Sequence, residues 1–105
     1  MKEYNVVISK QALYDLQIIY EYIVIKLMSP ENAKNQFDRI ADRVLKLSTM
    51  PERYKTFVFQ PEKNKVIHRM NVDNYAVFFI INNETVTITD VLYGASDINQ
   101  RLKYE

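Results

Sequence analysis

His68 and Arg69 stand side by side in an apolar stretch of the chain, and His68 is the only histidine. An imidazole next to a guanidinium offers a general base beside a fixed cation, so these two are the candidates for acid-base chemistry. The basic residues nearby extend the idea. Between Arg53 and Arg69 the chain carries Arg53, Lys55, Lys63, Lys65 and Arg69 against Glu62 alone. Arg53, Lys63, Lys65 and Arg69, with the phenol of Tyr93, are therefore the candidates for holding a target or a phosphate. Blander readings stand beside these. An isolated strand histidine is more often a packing residue, and a strand arginine pairs with Asp90 or Asp97 as easily as with phosphate. Tyr93 and Tyr104 are two of eight tyrosines, so a phenol near any site carries little information.

Other chemistries are excluded by what is missing. There is no cysteine, which removes disulfides, thiolate nucleophiles and cysteine-based zinc sites together and suits a reducing cytoplasm. No metal-ligand cluster, phosphate-cradling glycine loop or Ser-His-Asp set has useful spacing, so neither metal nor cofactor is expected. Residues 1–9 lack the pattern of an export signal. The apolar cluster from Ile18 to Met28 is broken by Tyr20, Glu21, Tyr22 and Lys26, well short of the roughly 20 residues that span a bilayer. With 105 residues, 48% hydrophobic and 26% charged, residues 1–105 are expected to form one domain in the cytoplasm. The net charge of +1 gives no general pull toward nucleic acid. Its distribution is uneven: from Met70 to Gln100 there are four acids and no Lys or Arg, which a solvated basic loop beside an acidic sheet end also explains.

The elements that must position these residues follow from periodicity. Tyr4 to Ile8 reads as a strand, and Ser9 as the N-cap of a helix. Leu13, Leu16, Tyr20, Ile23 and Leu27 recur at helical spacing. Ser29-Pro30-Glu31 starts a second helix, with Ser at the N-cap, Pro at the first helical position and an acid in the first turn. Ala33, Phe37, Ile40, Val44 and Leu47 form its apolar stripe, so the two helices should pack as an antiparallel hairpin. Arg53 to Lys65 reads mostly as loop, with a short extended piece around Phe57 and Phe59. Val66–Val72, Tyr75–Ile81 and Thr85–Tyr93 read as an antiparallel meander turned by Asp73-Asn74 and Asn82-Asn83. Asp90 interrupts the alternation of the last strand, Gly94 ends the sheet, and Asp97 to Lys103 suits a short helix. The expected fold is α+β, in the order β-α-α-β-β-β, with a helical hairpin on a small antiparallel sheet and a short C-terminal helix.

That order, with four fragments in sequence, resembles the RelE/ParE toxin superfamily over nearly the whole chain. The fragments are Ala-Lys-Asn-Gln at 33–36, Met-Pro-Glu-Arg-Tyr at 50–54, Val-Asp-Asn-Tyr-Ala-Val-Phe-Phe at 72–79 and Val-Leu-Tyr-Gly-Ala-Ser-Asp-Ile at 91–98. The resemblance implies a toxin of a bacterial type II toxin-antitoxin pair, with a cognate antitoxin as partner. RelE-like members are ribosome-dependent mRNA endonucleases, whereas ParE-like members poison DNA gyrase. RelE-like enzymes place an arginine where Ala76 stands and another where this chain has Ala95 and Ser96; only Arg69 falls where a family cation would, with His68 beside it. One missing donor of this kind costs on the order of 100-fold in rate, which favours the ParE-like branch. ParE-like members commonly carry Arg before the residue matching Asp97 and a basic residue where Asp90 stands, and this chain has neither.

Three readings follow from the resemblance. The first is a toxin that acts by docking and is neutralised when an antitoxin lies across the groove between hairpin and sheet, with Tyr20, Ile23, Leu27 and Phe37 as antitoxin-binding residues. The second is a ribosome-dependent mRNA endonuclease using Arg69, His68 and the basic stretch 53–69. The third is a degenerate, non-toxic member, for which Ala76, Asp90 and Ser96 speak.

Overall fold

A computed structural model describes residues 2–94 and 98–101. Its elements are β1 (Asn5–Ile8), α1 (Lys10–Glu21), a π-helical turn (Tyr22–Lys26), α2 (Pro30–Leu45), β2 (Thr56–Gln60), β3 (Lys65–Val72), β4 (Tyr75–Asn82), β5 (Thr85–Tyr93) and α3 (Ile98–Arg101). The helical hairpin and the α+β class are as expected. Of the terminal helix expected over 97–103, only α3 falls among the described residues; Ala95, Ser96, Asp97 and Tyr104 lie outside them. No helix among the described residues is long and apolar enough to cross a membrane.

The sheet has five strands in the order β1-β5-β4-β3-β2. Two features correct the expected antiparallel meander. Thr56–Gln60 is a paired edge strand rather than loop, antiparallel to β3. Its apolar residues sit between polar neighbours because one side of an edge strand meets water. The sheet is also mixed, since β1 runs parallel to β5 from Asn5 opposite Thr85 to Ile8 opposite Ile88. The hairpin between β1 and β2 carries the chain back across the sheet, which makes the parallel pairing possible. β4 is central, and Ala76, Val77, Phe78 and Phe79 are fully buried in succession because both its faces are covered. On one face Val77 and Phe79 meet Leu16, Ile40, Val44 and Leu47 of the helical layer. On the other, Ala76 and Phe78 join Ile67 and Ile98 of α3.

In α1 the buried stripe is Ala12, Asp15, Leu16 and Ile23, while Leu13, Tyr20 and Leu27 of the expected stripe are exposed. The rotation was hidden because a carboxylate occupies a core position. The π-helical turn adds a residue to the last turn and keeps Ile23 inside the hairpin at 6% exposure while Leu27 faces out at 59%. In α2, Ser29 Oγ accepts from Asn32 N–H at 3.4 Å, and Ala33, Ile40 and Val44 are buried. Asp73, at the β3–β4 turn, accepts from Arg39 Nε at 2.7 Å and Gln36 Nε2 at 2.9 Å and so ties α2 to the sheet.

Two predictions follow. Ser29 N–H donates to the Ile23 carbonyl six residues back at 3.3 Å, and Met28 between them has φ 50°, the left-handed position that glycine usually fills after a helix. Met28→Gly should raise stability by about 0.5–1 kcal/mol, the strain of a left-handed non-glycine residue less the entropy of glycine; an unchanged or lower urea midpoint would refute this. Hydrogen bonds from Arg39 and then Gln36 hold the Asp73 carboxyl below its ordinary value. A depressed folded value means the contribution is present above the ordinary carboxylate range and is lost as pH falls through the depressed value. Asp73→Asn should therefore make the acid side of a stability-against-pH curve shallower, read from urea midpoints below about pH 4.

Candidate functional site

Two surfaces bring chemistry-bearing residues together. The first is created by a length mismatch: β1 ends at Ile8, but β5 continues to Tyr93. Beyond Ile88 the edge of β5 has lost its strand partner, and α1 supplies replacements. Ser9 N–H donates to the Ile88 carbonyl at 3.0 Å, and Ser9 Oγ donates to the Thr89 carbonyl at 3.2 Å while accepting from Ala12 N–H at 3.1 Å. The β4–β5 register then shifts, with Phe79 opposite Ile88 and Phe78 opposite Asp90, so Thr89 is the extra residue of a bulge. That is how Asp90 breaks the alternation. Past the bulge, Val91 N–H donates to Asp15 Oδ2 at 3.0 Å.

Asp15 is 3% exposed and Asp90 6%. Arg101 Nη1 donates to both Asp15 oxygens, at 3.0 and 2.8 Å, and to Asp90 Oδ1 at 3.1 Å. The hydrogen bond to Asp15, followed by that to Asp90, holds the guanidinium above its ordinary value. Of the two acids weighed as partners for Arg69, Asp90 is held by Arg101, and Asp97 lies outside the described residues. Beside this node lies a groove of about 650 Å³ between α1, the π-helical turn and the end of β5, walled by Ile18, Ile19, Tyr22, Leu27, Tyr75, Leu92 and Tyr93. Of the four residues expected to bind an antitoxin, Leu27 lines this groove. Tyr20 and Phe37 form an edge-to-face pair at 6.3 Å along the outer seam of the hairpin. Ile23 is buried and offers no contact surface. Ile18, Tyr22, Leu92 and Arg101 were not singled out by sequence; the exposed Ile18 and Tyr22, one turn apart, were the signal.

The second surface surrounds Arg69 on the sheet face away from the helical layer. Its guanidinium lies over the rings of Phe57 and Phe78, at 5.5 and 5.7 Å, and its Nε donates to Asn71 Oδ1 at 2.9 Å. A recess of about 450 Å³ on one side is lined by Arg53, Tyr54, Lys55, Thr56, Phe57, Arg69 and Asn71. On the other side a smaller recess of about 360 Å³ brings Arg69 near Asp73, Tyr75, Tyr93 and Gly94. A methyl group on Gly94 would sit 3.2 Å from the Asn74 carbonyl oxygen, which would have to give by a few tenths of an ångström, and at an ordinary contact distance of 3.6 Å from Arg69 Nη2.

Arg69 therefore lines both recesses, with Arg53 and Lys55 in one and Tyr93 in the other. Lys63 and Lys65 line neither: Lys65 begins β3 opposite Gln60, four residues and about 13 Å along the strand from Arg69. His68 is also elsewhere. Its ring stacks on Phe79 at 5.2 Å and its Nδ1 lies 3.0 Å from the Tyr54 carbonyl oxygen, both on the helix-covered face. Adjacent strand residues project to opposite faces, so His68 and Arg69 do not converge on one substrate.

A family model described as the ParE toxin of type II toxin-antitoxin systems, parDE, matches residues 6–98. The comparison with curated proteins gives no match. Among solved structures, the chain is similar to one from the chromosomal ParDE toxin-antitoxin system of P. aeruginosa, with a TM-score of 0.70 and 17% identity over 87% of this chain and 96% of that one. It is similar to the toxin-antitoxin complex RelBE2 of Mycobacterium tuberculosis, with a TM-score of 0.63 and 20% identity over 91% and 97%. It is also similar to the archaeal RelE-RelB complex of Pyrococcus horikoshii OT3, with a TM-score of 0.61 and 17% identity over 89% and 97%. At these identities the structural likeness shows the fold.

Asp15→Ala should cost about 3 kcal/mol, because it strands the Val91 amide and removes one carboxylate from Arg101. The arginine's share is softened by its side chain being 34% exposed. Asp15→Asn keeps an acceptor for Val91 and should cost less. Equal urea midpoints for Asp15→Ala and the parent would show that this carboxylate holds nothing in place.

Proposed function

This chain belongs to the ParE toxin family of type II toxin-antitoxin systems, and from that membership we propose that it inhibits growth by docking onto its target rather than by cleaving RNA. The observation that carries the reading is the divergence of His68 and Arg69 across β3. RNA cleavage by 2′-hydroxyl attack needs a base and cations that face the same phosphate. The base here is turned into the core. Ala76, where RelE-like enzymes carry an arginine, is fully buried between Asn71 and Leu92, and Asp90 is occupied by Arg101. The remaining cations suit recognition: Arg53, Lys55 and Arg69 offer a charged surface with Tyr93 at its edge. DNA gyrase is the target that the family branch suggests.

Residues 1–105 act as one toxin domain in the cytoplasm, a reading that the match over 6–98 and the lack of cysteine support. Neutralisation falls to a cognate antitoxin, and the structural neighbours named as toxin-antitoxin complexes support such a partner. Its seat is the groove beside β5, continued over the Tyr20–Phe37 seam. An amphipathic or extended antitoxin segment anchors there through apolar side chains.

Expression of the chain alone in bacteria should stop growth, leave messages intact and leave plasmid DNA relaxed or broken. Messages cut at ribosome positions would overturn the docking reading, and unchanged growth would make the chain a non-toxic member of the family. Leu27→Glu should weaken the complex with the antitoxin at least tenfold, because it puts a charge into an apolar contact. An unaltered affinity would place the antitoxin elsewhere.

A further inference from the structure

Of the two recesses beside Arg69, the one shared with Arg53 and Lys55 is lined by three cations and by no carboxylate, whereas Asp73 lines the other. Arg53 and Lys55 are exposed, and the Arg69 N–H donates to the Lys55 carbonyl at 3.1 Å, which fixes the two backbones against each other. The nearby acids are committed elsewhere. Glu52 accepts from the Tyr4 hydroxyl, Asp73 is held by Arg39, and Asp90 by Arg101. None of Arg53, Lys55 and Arg69 forms an ion pair among the described residues. We propose that this recess binds an acidic segment of the toxin's protein target, an inference that rests on the docking reading above.

Charge complementarity names the occupant, and two details favour carboxylates over nucleic acid. The aromatic rings at the recess already carry guanidinium groups: Arg69 lies over Phe57, and Arg53 lies over Tyr54 at 5.2 Å. Each of these rings thus has one face covered, which leaves less open platform for a nucleobase. The cations are also compact rather than strung out, since Lys63 and Lys65 sit at the far end of the β2–β3 hairpin, so there is no basic track for a strand of phosphates. Arg69 is held by Asn71 at Nε, which leaves its terminal nitrogens in a fixed plane for paired hydrogen bonds to an oxyanion such as a carboxylate. Such a surface also steers an acidic partner during approach, so association should slow as salt rises.

The test is a pair of anisotropy titrations on the full chain at low ionic strength. One uses a fluorescein-labelled peptide alternating Glu and Ser, the other a labelled oligo-dT of equal charge. The peptide should bind more tightly, and Arg53→Glu combined with Lys55→Glu should weaken it at least tenfold, whereas Lys10→Glu combined with Lys34→Glu should stay within about twofold. Equal or tighter binding of the oligonucleotide, absence of peptide binding, or equal losses in both double variants would overturn the proposal. In cells, the Arg53→Glu, Lys55→Glu variant should lose growth arrest while still binding antitoxin. Full arrest by that variant with damaged DNA would overturn this inference and leave the docking reading intact, while transcript cleavage by the parent would remove the reading beneath it.

Discussion

The buried carboxylate of Asp15 is the constraint on which most of this structure depends. A strand that outruns its neighbour leaves backbone donors and acceptors without a ladder, and each one left unsatisfied in the interior costs about 1–3 kcal/mol. α1 meets that demand where β5 passes the end of β1, with Ser9 at the Thr89 carbonyl and Asp15 at the Val91 amide. The same carboxylate then fixes Arg101, and through it α3, whose Ile98 closes the second apolar cluster over Ala76 and Phe78. Helical layer, sheet edge and C-terminal helix thus meet at one side chain. The groove next to it takes its shape from that junction.

Much of this was legible from residue types. Ser29-Pro30-Glu31 marked the start of α2, and four members of the expected stripe, Ala33, Ile40, Val44 and Leu47, are its buried face, whereas the fifth, Phe37, is exposed against Tyr20. Asp73-Asn74 announced a strand turn, and Asp73 takes φ 55° as a turn residue does. What stayed hidden depended on distant partners. Asp15 reads as solvated until the unpaired Val91 amide appears opposite it. The parallel β1–β5 pairing brings together residues 80 positions apart, and nothing local encodes it. β2 reads as loop because its ladder has one side.

The candidate site divides in the same way. Arg53 and Arg69 line one recess, and Lys55 lines it with them. Lys63 and Lys65 were grouped with Arg69 by proximity in sequence, yet a strand carries them away from it at about 3.3 Å per residue. The pairing of His68 with Arg69 failed on a rule that the sequence already contained, since neighbours on a strand face opposite ways. On the helix-covered side, burial by itself would raise the Tyr54 phenol, but hydrogen bonds from Arg53 and Arg43 outweigh it and hold the group below its ordinary value. The cationic surface therefore reaches around the strand edge toward α2.

Gly94 sets a limit on how this surface can diversify. Its φ is not in the left-handed region, so it is retained for space rather than for backbone freedom. A larger residue asks the Asn74 carbonyl to give by a few tenths of an ångström and comes into contact with the Arg69 guanidinium, so a single replacement touches a strand turn and a surface arginine at once. Arg53 and Lys55, exposed on the opposite rim, carry no such penalty. Substitutions near residues 53–55 can therefore retune the charge of that rim freely, whereas one at residue 94 has to be absorbed by the turn at Asn74.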